Sequence, residues 1–276
     1  MAPVVLPMRP MTAGELLDAG GELLRRRALP LLALAAPLAA AEQVILGRWR
    51  ERAGLGAPAF LPDFGDFGTW WMITAAGFGF EAAIIAVLGA YAGAAAGPAL
   101  LGGPPVRHRA LWSRTRPLIT LPLAALIGIF AAIALYFGFV PWLIFYGLVG
   151  MAIPALTLGR SRHPIGRSAR LATRDGARAA LLRLLAYGTW FLIRLALGTI
   201  WVAVAGQAGW GIGAGVVAVV VPIAWGIANT VAYAALACLD AALLVEARIR
   251  TEGLDIAIER ERARGGDGSR ALVDAS

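Results

Sequence analysis

Four charged side chains stand inside otherwise apolar runs: Glu42, Glu81, Arg194 and Asp240, with Asn229 as a neutral companion. A charge at the centre of a bilayer costs about 2.5–3.5 kcal/mol on insertion scales, so such residues are functional candidates by default. At about 1.5 Å per helical residue, Glu81 lies about 15 Å from Trp71, near the midplane, and Arg194 reaches a similar depth about 20 Å from Leu181. An ion pair between the two spans would lower the burial cost of both. Asp240 falls closer to the cytoplasmic side, where Arg183 or Arg248 can reach it. Glu42 falls near the outer end of its run, facing the headgroups close to Arg48. Two kinds of chemistry fit: a polar route or headgroup cavity between helices, or buried pairs that fix helix packing.

Other catalytic chemistry is poorly represented. The two histidines, His108 and His163, sit among arginines, where neighbouring positive charge disfavours protonation and metal binding. Ser161, Ser168 and Thr173 lack a matched base and carboxylate. No zinc-protease HExxH, phosphate-binding P-loop or nucleophile elbow occurs. Cys238 is the single cysteine, inside an apolar run, so neither an internal disulfide nor a multi-cysteine zinc site can form. The sequence therefore assigns no catalytic residue, no metal and no cofactor.

The elements that must position the charges are set by composition. Of 276 residues, 59% are hydrophobic and only 15% charged, against about 45–50% and about 25% in soluble chains. An apolar helix of about 20 residues crosses the hydrocarbon. Six such runs are expected: 28–47, 70–100, 118–137, 142–158, 181–205 and 216–245. The Gly138–Pro141 stretch reads as a tight turn between the third and fourth, and Pro222 as a bend in the sixth. A cleaved signal peptide is a weaker reading of the first run. Residues 12–24 before it form an element of their own, with a Thr12–Glu15 capping box and apolar residues at helical spacing. That element reads as an amphipathic helix lying on the membrane surface.

All 25 basic residues are arginine. With six spans, 21 of them fall on one side and only Arg48, Arg50 and Arg52 on the other, with Arg194 inside a span. The positive-inside rule then puts both termini in the cytoplasm, and six tryptophans cluster near the outer boundary. Arg25, Arg26, Arg27, Arg167, Arg170 and Arg174 are candidates to face anionic headgroups, the last three on a basic amphipathic segment, 164–180. The bland alternative is that they only set topology. Nucleic acid is a poor partner, because the charge follows the membrane boundary. Gly89, Gly93 and Gly97 recur every four residues, a spacing that lets helix backbones approach closely, within the chain or between copies. The tail from Gly265 reads as disordered.

Three stretches carry a family resemblance: MRPMTAGELLDAGGELLRRRALPLL at the start, IPALTLGRSRHPIGRSARLATRDGARAALLRLL in the middle and LDAALLVEARIRTEGLDIAIE near the end. They resemble bacterial multi-pass proteins related to the membrane domain of glycerophosphoryl diester phosphodiesterases, including stand-alone actinobacterial members. The family often places an acidic residue soon after the fourth span, where Gly159 and Arg160 stand here. Its phosphodiesterase activity belongs to a separate barrel with metal-binding carboxylates and histidines, so the resemblance implies a membrane module and no hydrolase.

The expectation is thus an all-α polytopic bundle: a cytoplasmic amphipathic segment at 1–27, a six-helix membrane domain at 28–247 and a cytoplasmic helix and tail at 248–276. It implies a non-enzymatic scaffold or accessory subunit of the cytoplasmic membrane, engaging anionic lipid, a membrane-protein partner or a second copy. A transporter or lipid-handling protein with a polar site at Glu81, Arg194 and Asp240 is the alternative.

Overall fold

A computed structural model describes residues 9, 11–57, 60, 64–100, 107–209, 211, 213–266, 268 and 270–272. Of the described residues, 86% are helical and none is in a strand. The helices are α1 (Ala13–Arg26), α2 (Ala28–Arg52), α3 (Phe67–Leu100), α4 (His108–Trp112), α5 (Pro117–Tyr136) and α6 (Phe139–Val149). They are followed by α7 (Ala152–Thr157), α8 (Pro164–Leu195), α9 (Trp201–Gln207), α10 (Ala214–Glu252) and α11 (Leu254–Ala263). Among the described residues, six helical segments are long and apolar enough to cross a membrane, and they coincide with the six apolar runs. The fold is an all-α membrane-spanning bundle.

Side-chain size is distributed as lipid immersion demands. On α5 the buried positions are Thr120, Ala124, Ile127, Gly128, Ala131 and Leu135. Leu118, Leu121, Leu126, Ile129, Phe130 and Ile133 point outward. Large apolar groups lose nothing by facing lipid tails, while small ones on the inner face let backbones close on one another. One close approach of backbone to backbone joins α3 and α5 at Gly79 and Gly128. A Cβ on Gly128 would lie 2.7 Å from the Gly79 carbonyl oxygen, and a Cβ on Gly79 equally near that of Gly128. Gly89, Gly93 and Gly97 meet elements of the same chain: Pro154 and Thr157 of α7 lie against the first two, and Leu158 and Leu272 against the third.

Helix α10 is the hub, touching α1, α2, α3 and α8, and it stays helical through Pro222. The turn between α5 and α6 is shorter than Gly138–Pro141. It is made at Phe137 and Gly138, whose φ of +132° suits glycine, and α6 begins at Phe139. The fourth span is broken between α6 and α7. Ser168 bridges the break, accepting from Met151 N at 3.1 Å and donating to the Leu148 carbonyl at 2.6 Å.

Three expectations need correction. Helix α1 does not lie with its apolar face in the lipid surface. Leu16, Ala19, Gly20 and Leu23 are buried, and Gly20 sits so close that a Cβ there would lie 3.3 Å from the Leu239 Cα of α10. The Met11 carbonyl accepts from Arg178 at 2.7 Å and Arg250 at 3.3 Å, pinning the start of α1 to α8 and α10. Periodicity revealed an apolar face, and the bundle rather than the bilayer covers it.

The 164–180 segment is not one helix. Non-helical backbone interrupts α8 from Arg174 to Ala177, with positive φ at Asp175, Gly176 and Ala177. Asp-Gly is turn chemistry, and Asp175 there reaches Arg250 at 3.2 Å. In the tail after Gly265, the described Ala271 and Leu272 lie against α10. Arg248, itself buried, needs acceptors and takes the carbonyls of Leu272 at 2.6 Å and Ala271 at 3.3 Å.

The capping box that starts α1 carries a pH prediction. Thr12 N–H donates to Glu15 at 2.8 Å and Arg9 reaches the same carboxylate at 2.6 Å. The Thr12 amide first, then Arg9, hold the Glu15 carboxyl below its ordinary range. A group lowered in the folded state stabilises above its unfolded pKa, and that contribution is lost as pH falls through the folded value. Hydrogen-exchange protection of the first turn of α1 is therefore expected to fall as pH drops below about 4. Glu15→Gln should flatten that dependence; a pH-independent wild type would refute it.

Candidate functional site

Arg183, Tyr187 and Arg194 lie four and then seven residues apart on α8, so they share one face. Asn229, Tyr233 and Asp240 have the same spacing on α10. The helices run antiparallel, so Arg183 meets Asp240 and Arg194 meets Asn229. The result is a stack of polar layers.

In the layer nearest the arginine-rich end, the Arg183 guanidinium grips Asp240 with both arms. Nε lies 2.6 Å from Oδ1 and Nη2 lies 3.1 Å from Oδ2. Nη1 donates to the Tyr146 carbonyl, and the guanidinium centre stands 3.6 Å above the Tyr146 ring. Gly150 makes this possible, because any Cβ there would collide with the Arg183 side chain. A cavity of about 10 Å³ adjoins the pair, lined by Ala82, Ile85, Ile127, Tyr146 and Gly150 among others, with room for at most one water.

The next layer joins α3, α8 and α10. Arg194 Nη2 lies 2.9 Å from Glu81 Oε1, and the Tyr187 hydroxyl donates to Glu81 Oε2 at 3.1 Å. The ion pair is close but off-line, so neither Nη2 nor Glu81 Oε1 has an aligned hydrogen bond, and Nε is also unpartnered. Nη1 reaches Asn229 Oδ1 at 3.5 Å. The rings of Tyr187, Phe191 and Tyr233 stand 5.5–5.7 Å from the guanidinium carbon, an aromatic cage around the cation.

The last layer reaches α2. Asn229 Nδ2 donates to Glu42 Oε2 at 3.2 Å, and the Tyr233 hydroxyl lies 3.0 Å and 2.9 Å from the two Glu42 oxygens. Glu42 therefore does not face the headgroups beside Arg48. It is 4% exposed, because it continues the buried stripe Leu31, Ala35, Ala39, Glu42, Leu46 of α2.

Compared with protein-family models, curated proteins and solved structures, the chain gives no match.

Its site must be read from chemistry alone. Among the described residues, no three His, Cys, Asp or Glu side chains are placed to hold a metal ion. Cys238 is buried in α10. His108 Nδ1 pairs with the Tyr91 hydroxyl at 2.8 Å, and His163 is exposed. Just after Arg194, α8 widens into a π-helical turn, Ala196–Ile200. Gly198 there lies against the Trp225 indole, whose Nε1 donates to Thr199 Oγ1 at 3.0 Å. Such bulges often accompany functional residues.

Sequence reasoning missed Tyr187, Tyr233 and Glu246. The tyrosines look like ordinary apolar-run aromatics, and only their fixed spacing from Arg194 and Asp240 marks them. Glu246, buried near the arginine-rich end, takes Arg178 at 2.9 Å and Arg250 at 3.0 Å. The six arginines expected to face headgroups divide. Arg25 pairs with Glu22, Arg26 binds Glu22 and the Ala99 carbonyl, and Arg167 takes Glu252 at 2.7 Å. Arg27 is half-buried. Arg170 and Arg174 are exposed, and their side chains have no hydrogen bond or ion pair among the described residues.

Proposed function

We propose that this chain is a non-enzymatic scaffold or accessory subunit of the cytoplasmic membrane, with both termini cytoplasmic, whose arginine-rich face engages anionic headgroups. One observation carries the reading. Inside the spans Arg183 pairs with Asp240 and Arg194 with Glu81, while the side chains of Arg160, Arg162, Arg170 and Arg174 stand exposed and unpaired by the described residues. Buried pairs hold the bundle; the surplus cations are left for a partner. On this reading the resemblance to the membrane domain of glycerophosphoryl diester phosphodiesterases is one between membrane modules, and no hydrolase activity comes with it.

The test is lipid retention. Protein purified in mild detergent from a mixture of phosphatidylglycerol and phosphatidylcholine is expected to retain the anionic lipid selectively, read by mass spectrometry. At about 1 kcal/mol per well-placed arginine, Arg170→Gln and Arg174→Gln should each weaken that preference about fivefold. Equal retention of both lipids, or a preference untouched by the double substitution, would count against it.

A further inference from the structure

Beyond the lipid reading, and independent of it, we propose that Glu42 is a proton-binding site within the membrane, with Tyr233 and Asn229 as its fixed partners. Charge comes first. Two carboxylates, Glu42 and Glu81, share a site with one guanidinium, and Glu81 takes the direct contact with Arg194 at 2.9 Å. Glu42 is met only by neutral groups, the Tyr233 hydroxyl and the Asn229 amide. A fully ionised set would leave one uncompensated negative charge in surroundings that cannot solvate it.

Hydrogen-bond accounting points the same way. Asn229 presents its carbonyl oxygen to Arg194 and its NH2 to Glu42, so its orientation is set by a cation on one side and an acceptor on the other. The Tyr233 hydroxyl sits within hydrogen-bond distance of both Glu42 oxygens, 3.0 and 2.9 Å away. A hydroxyl has one proton and can donate it to one of them. Both contacts are satisfied when Glu42 itself carries a proton: Oε1–H donates to the Tyr233 oxygen, and Tyr233 O–H donates to Oε2, beside the Asn229 NH2. The step is protonation of a carboxylate, balanced by one proton from water.

The charged and titratable groups acting on Glu42 come from each element packed around it. They are Glu81 on α3, Arg194 on α8 and Tyr233 on α10, with Arg50 further along α2 itself. Tyr187 acts through Glu81, to which it donates. Arg194 is spent on Glu81, so a proton is the ligand the remaining geometry accepts.

Infrared spectroscopy of the full chain in lipid nanodiscs tests this. The wild type should show the carbonyl stretch of a protonated carboxylic acid. Glu42→Gln should delete that band, and Glu81→Gln, which frees Arg194 to answer the Glu42 charge, should weaken it. Glu42→Asp, which keeps the carboxyl should Glu42→Gln fail to fold, should move the band and retain it. Absence of the band throughout a pH titration would overturn the proposal. So would its loss in Glu81→Gln with survival in Glu42→Gln, which would put the proton on the other carboxylate. A band removed by sodium at constant pH would also overturn it, since the site would then be one for metal cations.

Discussion

Arg183→Met alone is expected to destabilise the protein by about 3–5 kcal/mol, the usual cost of removing one partner from a buried ion pair. The substitution keeps much of the side-chain volume, so the loss is chiefly electrostatic. Asp240, 3% exposed, would keep its charge with no counter-ion, and the Tyr146 carbonyl would lose its donor. The decisive measurement is the double variant. Arg183→Met with Asp240→Leu removes both charges, and most of the stability should return, because a paired ion and an apolar pair of similar volume differ little in a dry interior. Equilibrium unfolding in mixed micelles would read the two single variants, Arg183→Met and Asp240→Leu, and the double. A double variant as unstable as the worse single one would show that Arg183 acts through the Tyr146 carbonyl and ring rather than through Asp240.

The second large effect belongs to the α3–α5 crossing. Gly128→Ala is expected to cost about 1–3 kcal/mol, the range for overpacking a close contact. The new methyl would sit 2.7 Å from the Gly79 carbonyl oxygen and 2.8 Å from the Ala83 Cβ. The nearer obstacle is backbone, so relief requires the two helices to separate. Gly188→Ala is the matched control: it too replaces a mid-helix glycine, but nothing lies within 4 Å of the added carbon. There alanine's better helix propensity, worth up to about 1 kcal/mol, should make the change neutral or stabilising. Similar destabilisation by both substitutions would show that the cost lies in the helix and not in the crossing.

The parts that were legible in the sequence are those set by composition and length. Six apolar runs give six crossing segments, because nothing shorter or more charged can span hydrocarbon. The meeting of Glu81 and Arg194 was also within reach, since equal depth on two spans is simple arithmetic on helical rise. Glu42 was misplaced for an instructive reason. Its distance along α2 suggested the headgroups, but its position on the helix circumference, in line with Ala35 and Ala39, decides what it touches. The same gap explains α1. A periodic pattern shows that a face is apolar and is silent on whether lipid or protein covers it. Gly79 and Gly128 were invisible because neither belongs to a four-residue repeat, whereas Gly89, Gly93 and Gly97 announce themselves by repetition. The break at Asp175 had a local signal, the Asp-Gly pair, masked by the helix-forming residues on either side.

The pairing between α8 and α10 has a consequence for how the chain is made. Arg183 and Arg194 leave the ribosome before Asp240 and Asn229. Arg194 finds Glu81 already synthesised on α3, but the carboxylate that answers Arg183 lies 57 residues downstream. Until α10 arrives, the nascent protein holds a cation with no counter-charge. The fifth span therefore gains the buried counter-charge of Arg183 only once the sixth has been made. The sixth span thus completes the polar pairing of the one before it.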